Sequence, residues 1–437
     1  MCDTLLAFSG KTADGSVILA KNSDREPGEA QAVTFVPAAR HAPGAVARCA
    51  SVTIPQARET VAALISRPFW MPGAEMGVNE HSVAVGNEAV FTRRKVAKTG
   101  LTGMDLVRLA LTRGRTAREA VRVVTGLIAA HGQGGNGGYR HRLQYHNSFL
   151  VADPSEAWLL ETADREWAAR RVTGFFCISN ALRLDEAPDA ASPGAPEPFA
   201  KSLSDRLFTR FARGRARRAL AASFLENLPH PAGSRDLMAA LRVHADPVFA
   251  GGRGKSMDGL CLHAGGLVSS QTTGSMVAVL HPGRPPLAYF TGTSAPCLSV
   301  FKPHSLAPGQ AAWPGLAAGG DQDLYGSPGK GHDPGALWWE WERFHRRALL
   351  DYNRLAPDWQ RARDAREAEM AAQVEAAWKN GGTGLSGLCA RWAGELAAWQ
   401  SQEASHPAAR PLSGKRPPAW FRLFWALENR RDQMPRG

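Results

Sequence analysis

A cysteine at position 2 can bring two reactive atoms to one place. Once the bond before it is cut, its thiol is a nucleophile and its α-amine a base. An α-amino group has a reference pKa near ~8, so part of it is neutral near neutral pH and can relay the thiol proton without a histidine. The opening stretch, CDTLLAFSGKTADGSVILAKNSDRE, sets further candidates beside this residue. DTLLAFS and SVILAKN are strand-forming runs, and Asp14-Gly15 between them is a hairpin signal. Pairing Ser9 with Ser16 puts Cys2 opposite Ser23, with Lys21, Asn22 and Asp24 around the chain start. A cation at Lys21 would depress the amine pKa, and a carboxylate at Asp24 would orient the ammonium. An acyl oxyanion would also need two donors, such as an asparagine amide and a backbone N–H. On residue type alone, Cys2 as a plain terminal residue remains the competing reading.

Other constellations carry less. Gly132, Gly134 and Gly137 in GQGGNGG satisfy GxGxxG, but a helical pattern precedes them and no helix follows, so they form a loop that can border a ligand site. Glu342 and His345 in EWERFH have the spacing of a carboxylate-bridged metal site without its second copy. Cys261 and His263 in CLH have no ligands nearby in the sequence. A papain-like cysteine opens a helix, whereas Cys2 opens a strand. The expectation is therefore no metal and no organic cofactor.

The 437 residues are 44% hydrophobic and 21% charged, ordinary for a globular protein. A net charge of +12 invites a nucleic-acid partner. The arginines are scattered, however, and the densest run, RLFTRFARGRARR, spreads its charge around a helix like a solvated surface, so no nucleic acid is expected. No apolar run reaches the length of about eighteen residues that spans a membrane. With no signal-peptide pattern, a cytoplasmic location is expected. The six cysteines form no CxxC pair or cluster, which argues against a disulfide framework or a structural zinc site.

The elements that must position the chain start are strands and flanking helices. HSVAVGNEAVF reads as a strand. GMDLVRLALTRG is an amphipathic helix ended by Gly114, and Thr116 opens a capping box, TARE, before a second helix. SFLVAD with EAWLLETA, and SMVAVLH with LAYFTGT, are hairpins, and GFFCISN continues a meander. The spacing fits two antiparallel sheets with helices outside. Residues 2–304 form the main domain, 305–335 a Gly/Pro-rich connection, and 336–437 a tryptophan-rich helical extension packed on it. A subunit contact through those tryptophans, giving a homo-oligomer, is the alternative to internal packing.

The opening stretch resembles the start of the secernin family, related to dipeptidases among the N-terminal nucleophile hydrolases. WMPGAEMGVNEHSVAVGNEAV, LTGMDLVRLAL, GQGGN, YHNSFLVAD, EAWLLET, ISN, QTTGSMVAVL and SVFKP resemble secernin blocks in the same order, from residue 2 to about 303. LWWEWERFHR extends the likeness into the C-terminal helices. The resemblance implies an α+β fold, a four-layer αββα sandwich with the nucleophile on an inner strand. Bile-salt hydrolases and penicillin V acylases share that superfamily. Their site pattern implies Cys2 as nucleophile, its amine as base and Asp24 as the carboxylate on that amine. Lys21 stands where those acylases have an arginine, keeping the charge without the planar fork. Asn180 and the backbone N–H near Asn87 are implied as oxyanion donors, and Arg206 as the distal arginine. Asn79, Glu80 and Asn147 also lie in matching blocks, with turn and strand-end roles expected.

The expected activity is hydrolysis of a small peptide or amide, of dipeptidase type, by Cys2 after removal of Met1. The alternatives are an acylase or acyltransferase on a non-peptide amide, and a non-catalytic binding or regulatory protein of the same fold.

Overall fold

A computed structural model describes residues 1–245, 257–265, 270–306, 319–405 and 417–435. Parts of the expected connection (305–335) and of the helical extension (336–437) lie outside the described residues.

The chain opens as an antiparallel hairpin of β1 (Cys2–Ala7) and β2 (Val17–Arg25), with Cys2 opposite Ser23 and Ala7 opposite Ile18. The register expected from the turn signal holds, although a short 3-10 turn at Ser9–Lys11 replaces the last pair of the hairpin. Four further strands extend β1 and β2 into a six-stranded sheet, ordered Phe175–Ser179, β1, β2, Gln271–Leu280, Leu287–Phe290, Lys302–Ser305. β1 and β2 are thus interior strands with partners on both sides.

A second sheet has nine strands among the described residues. Its centre is the run Ala157–Ala163, His146–Ala152, Ala84–Val90, Met76–Asn79, Ala63–Pro68 and β3 (Gln31–Val36), all antiparallel neighbours. β3 and Ala63–Pro68 fall in a stretch where the sequence pattern shows no strand. β3 is buried along its whole length, so the polar–apolar alternation that marks a half-exposed strand is missing.

Alternation along the strands assigns the layers. Leu6, Leu19 and Met276 of the first sheet pack against Val78, Leu150 and Leu159 of the second, making the core between the sheets. Their neighbours Leu5, Ile18 and Val277 face outward against Leu237, Leu241, Val374 and Trp392 of helices. On the far side, Ile65, Val85 and Phe149 meet α1 (Gly103–Arg113) and α2 (Ala117–His131). The result is a four-layer αββα sandwich of α+β class. Cys2 has the same parity as Leu6, so its side chain enters the space between the sheets.

Thr116 caps α2 by accepting from the Glu119 amide, but Glu119 turns to the Arg115 N–H instead of completing the expected box. The reciprocal capping box is at α1, between Thr102 and Asp105. Most described tryptophans of the C-terminal helices pack inside the chain, while Trp420 is exposed. Trp338, Trp339 and Trp341 are fully buried, and Trp341 joins Cys261, Ala295, Cys297 and Trp359 in one cluster. Trp338 donates to the Thr273 carbonyl at 2.9 Å.

If the C-terminal helices share the cooperative core, Trp341→Ala should destabilise the chain by about 3–5 kcal/mol. Urea unfolding measures this. A loss below about 1 kcal/mol would show that the helices unfold separately from the sandwich.

Candidate active site

The chain start is built into the sheet. Met1 continues the ladder: its ammonium donates to the Asp24 carbonyl at 2.6 Å, and the Asp24 N–H donates to the Met1 carbonyl at 2.8 Å. The backbone N–H of Cys2 donates to Asn180 Oδ1 at 2.9 Å. Asn180 directly follows the strand Phe175–Ser179, which pairs with β1 from the other side. The strand on one side of β1 thus brings an acceptor to the Cys2 nitrogen, while β2 on the other side pairs with Met1.

Asn180 is held by Arg217, which donates to Oδ1 at 2.6 Å, to Ser179 Oγ at 3.1 Å and to Asp3 at 2.9 Å. Arg217 is completely buried. Its helix, Gly214–Glu226, reaches this close because residue 214 is glycine, where a Cβ would lie 2.7 Å from the Asn180 nitrogen. Arg206 does not join the site. It is exposed at the first turn of the helix Arg206–Ala212 and faces a separate depression of ≈ 520 Å³ with Arg210 and Arg213. The basic run that resembles a solvated surface thus carries one arginine, Arg217, into the interior, one helix beyond the expected residue.

On the inner side, the Cys2 sulfur meets Lys21 and Glu75. Burial pushes the thiol pKa up, and the Lys21 charge beside it pulls the other way. Burial pulls the Lys21 pKa down, but the Cys2 sulfur, Glu88 and Glu75 outweigh it and hold the ammonium above the ordinary lysine range. Lys21 Nζ lies 3.9 Å from Glu88 Oε1, and Thr4 donates to the same carboxylate. Room for the lysine comes from Gly86 on the facing sheet, where a Cβ would sit 2.6 Å from Lys21 Cδ. Cys2 Sγ is 3.8 Å from Glu75 Oε2.

Asp24 points the opposite way from Lys21, as strand alternation requires. Thr272 donates to its Oδ1 at 2.6 Å, while Oδ2 is buried without a hydrogen-bond partner among the described residues. Burial raises its pKa to about 6, against the pull of the chain's ammonium.

Asn87 lies on Ala84–Val90 and lines the cavity above Cys2. Its Nδ2 donates to Asn147 Oδ1 at 3.1 Å, and its own Oδ1 is buried without a partner among the described residues. Ala89 turns its carbonyl to the Cys2 side, where Asn180 Nδ2 donates to it at 2.8 Å. Residues two apart on a strand direct their backbone groups to the same edge. The Asn87 N–H therefore opens on that edge too, past Gly86, where pairing with Met76–Asn79 ends. Asn79 serves a turn, accepting from His81 and Val83 and donating to the end of α1. Glu80 accepts from the Ala62 N–H.

The cavity over Cys2 measures ≈ 240 Å³. Asp24, Arg25, Glu26, Glu29, Glu75 and Tyr145 line its polar part, and Phe91, Phe208 and Phe211 its mouth. Arg25 is claimed by Glu29 at 2.6 Å, Glu75 at 3.3 Å and the Gly137 carbonyl at 2.6 Å. The glycine loop thus does border the site. Glu75, Tyr145, Arg25 and Arg217 are absent from the sequence-derived set. Arg25 and Glu75 stand inside quoted blocks, yet nothing in their local pattern distinguishes them from surface charges.

A sandwich that seats a cysteine at the first position of an inner strand, with its nitrogen clasped and a buried lysine beside its sulfur, defines a hydrolase of peptide or amide C–N bonds with a cysteine nucleophile. The family model for peptidase family C69 matches residues 1–191, the part that carries Cys2, Lys21, Asp24, Asn87 and Asn180. Among solved structures, the chain is similar to the C2A mutant of conjugated bile acid hydrolase from Clostridium perfringens (14% identity, 66% of this chain and 88% of that one, TM-score 0.42). It is also similar to penicillin V acylase from Agrobacterium tumefaciens (13%, 70% and 86%, TM-score 0.39). A third is the Caenorhabditis elegans ortholog of N-acylethanolamine-hydrolyzing acid amidase (12%, 63% and 92%, TM-score 0.35). No described helix is long and apolar enough to cross a membrane.

The two arginines should behave differently in kinetics. Arg217→Lys keeps the charge but loses the fork that spans Asp3 and Asn180, and should lower kcat/KM by at least about tenfold. Arg206→Ala should leave it within about twofold. Equal losses in both variants would remove Arg217 from the site.

Proposed function

We propose that the chain is a dipeptidase of secernin-like type, acting through Cys2 once the Met1–Cys2 bond has been cut. The observation that carries this is the socket around the Cys2 nitrogen. Asn180 Oδ1 already accepts from it, and the neighbouring Asp24 has a buried, unpartnered oxygen. Cutting the bond turns that nitrogen into an amine with acceptors in place. The same cut removes Met1, which lines the cavity.

In the processed chain the thiol proton passes to the amine as sulfur attacks the scissile carbonyl. Lys21 stabilises the thiolate that forms. The oxyanion lies against the Asn87 N–H and the second N–H of Asn180 Nδ2. Collapse breaks the C–N bond, and the ammonium returns its proton to the leaving nitrogen. Water, deprotonated by the same amine, then splits the thioester and releases the acid.

The wall charge favours peptides over neutral acyl amides. Among the described residues, four carboxylates, Asp24, Glu26, Glu29 and Glu75, line the cavity against one guanidinium, Arg25. Glu29 Oε2 is buried with no hydrogen-bond partner among the described residues. That surplus suits a substrate's free α-ammonium and opposes a carboxylate or a long apolar acyl chain. All six cysteines are unpaired, which suits the reducing cytoplasm as the place of action.

The intact mass of the purified chain should lack Met1, and Cys2→Ala should abolish hydrolysis of a dipeptide panel. N-acetylated dipeptides should be cleaved at least about 100-fold more slowly than free ones. Retained Met1, or unchanged turnover in Cys2→Ala, overturns the mechanism. Preference for the acetylated series would instead indicate an acylase.

The acid side of the pH profile follows from Asp24. Its carboxylate form is the one that accepts from the amine, and burial raises its pKa to about 6 while Met1 is attached. After processing, an ammonium on Cys2 takes the place of the one on Met1 and likewise pulls that value down. kcat/KM should therefore fall, with unit slope, at or below about pH 6 as Asp24 takes up a proton. A profile flat from about pH 8 to about pH 4 would show that the charge on Asp24 is not needed.

A further inference from the structure

Away from Cys2, four side chains turn metal-binding atoms toward one point. His244 follows the helix Ser234–Leu241. Cys261 and His263 lie two residues apart on one irregular segment, and Cys297 is in the loop between Leu287–Phe290 and Lys302–Ser305. One donor atom from each lies within 4.8 Å of all the others. His263 Nε2 is 3.1 Å from His244 Nε2, 3.4 Å from Cys297 Sγ and 3.8 Å from Cys261 Sγ. With Zn–N near ~2.0 Å and Zn–S near ~2.3 Å, a tetrahedral site has N–N, N–S and S–S edges of roughly 3.3, 3.5 and 3.8 Å. The three edges at His263 Nε2, 3.1, 3.4 and 3.8 Å, lie within about 0.3 Å of those values, and the others are no longer than 4.8 Å. The two cysteines and His263 are buried.

A second layer fixes which nitrogen of His263 is the ligand. Arg346 donates to Glu342 Oε1 at 2.7 Å and Ser294 to Oε2, so this carboxylate acts as an acceptor. His345 Nδ1, 3.1 Å from Glu342 Oε2, then carries a proton, and His345 Nε2 accepts from His263 Nδ1 at 3.0 Å. That order leaves a lone pair on His263 Nε2, directed at His244 and the two sulfurs. A carboxylate–histidine chain behind a ligating imidazole is the usual support of a zinc ligand. The pair Glu342 and His345, unassigned by spacing alone, finds its use here.

We propose that His244, Cys261, His263 and Cys297 bind one Zn²⁺ ion as a closed, structural Cys₂His₂ site. Binding releases both thiol protons to solvent and leaves no open position for a water or substrate. The site sits beside the catalytic wall. Leu262, between two ligands, donates its N–H to Thr272 Oγ1 at 2.9 Å, and Thr272 donates to Asp24 at 2.6 Å. Leu260 offers its carbonyl to Asn22 on β2 at 2.8 Å. The metal thus clamps the segment that backs Asp24 and, through His345, the helix Leu337–Ala348.

The test uses the full chain, purified without a histidine tag and passed over a chelating resin. Elemental analysis should find about one zinc per chain. Chain produced with cobalt in place of zinc should show intense visible d–d bands and thiolate-to-cobalt charge transfer, and Cys297→Ser should lose part of the latter. If Cys297→Ser does not accumulate, the zinc content and cobalt spectrum of the parent chain decide. Zinc below about a tenth of an equivalent, a cobalt spectrum without thiolate bands, or a parent chain two hydrogens lighter with the Cys261 and Cys297 peptides cross-linked would each overturn the site.

Discussion

The site rests on one backbone nitrogen, that of Cys2, held at the start of a strand with partners on both sides. An edge strand would leave this nitrogen in water, where its proton traffic would belong to the solvent. Between β2 and Phe175–Ser179, it donates to the Asn180 side-chain oxygen, while Met1 before it pairs with the Asp24 backbone. The hairpin register is what makes this work. A slip of one residue would exchange the faces of Lys21 and Asp24, sending the lysine toward the helices and the carboxylate between the sheets.

That placement forces charge into the interior. Lys21, Glu88, Asp3, Asp24 and Arg217 are all essentially buried. Pairs of this kind contribute little net stability, because desolvation cancels most of the attraction. Their effect is positional. Arg217 spans Asp3 on β1 and Asn180 beyond the neighbouring strand, so one planar group sets the spacing of two site elements. Lys21 has no such fork and acts as a point charge beside sulfur. This suits a role that needs a field more than a geometry. Gly86 and Gly214 are the steric counterparts: each gives up a side chain so that a charged group or a helix can come close.

The legible parts of the sequence were the local ones. Asp14-Gly15 and two strand-like runs set the hairpin register, and through it the grouping of Cys2, Lys21 and Asp24. Asn87 and Asn180 are legible only through a resemblance of ordered blocks, since they lie 85 and 178 residues beyond Cys2 in the chain. Arg217 was hidden because a helix with charge on every side looks the same whether one arginine faces a core or all face water. β3 was hidden because burial on both faces erases alternation. His244 and Cys297 are separated from the CLH segment by 19 and 34 positions counted from His263. No local spacing rule spans such distances.

The matched family region ends at residue 191, yet the site does not. Arg217 holds Asn180, and Thr272 holds Asp24; both lie beyond that boundary. Farther along, Glu342 accepts from Gln271 at 3.0 Å, next to Thr272 on the same strand. The Glu367 carboxylate accepts from the Phe301 N–H at 2.8 Å, and Lys302 donates to Gln400 at 2.6 Å. These contacts fasten the C-terminal helices to the last strands of the nucleophile's own sheet. The amino-terminal part carries Cys2, while later segments hold Asn180, which accepts from the Cys2 nitrogen, and Asp24 near the chain start. In the proposed mechanism, competence then depends on both parts of the chain, because the residues assigned to orient the amine, Asn180 and Asp24, are themselves held from beyond residue 191.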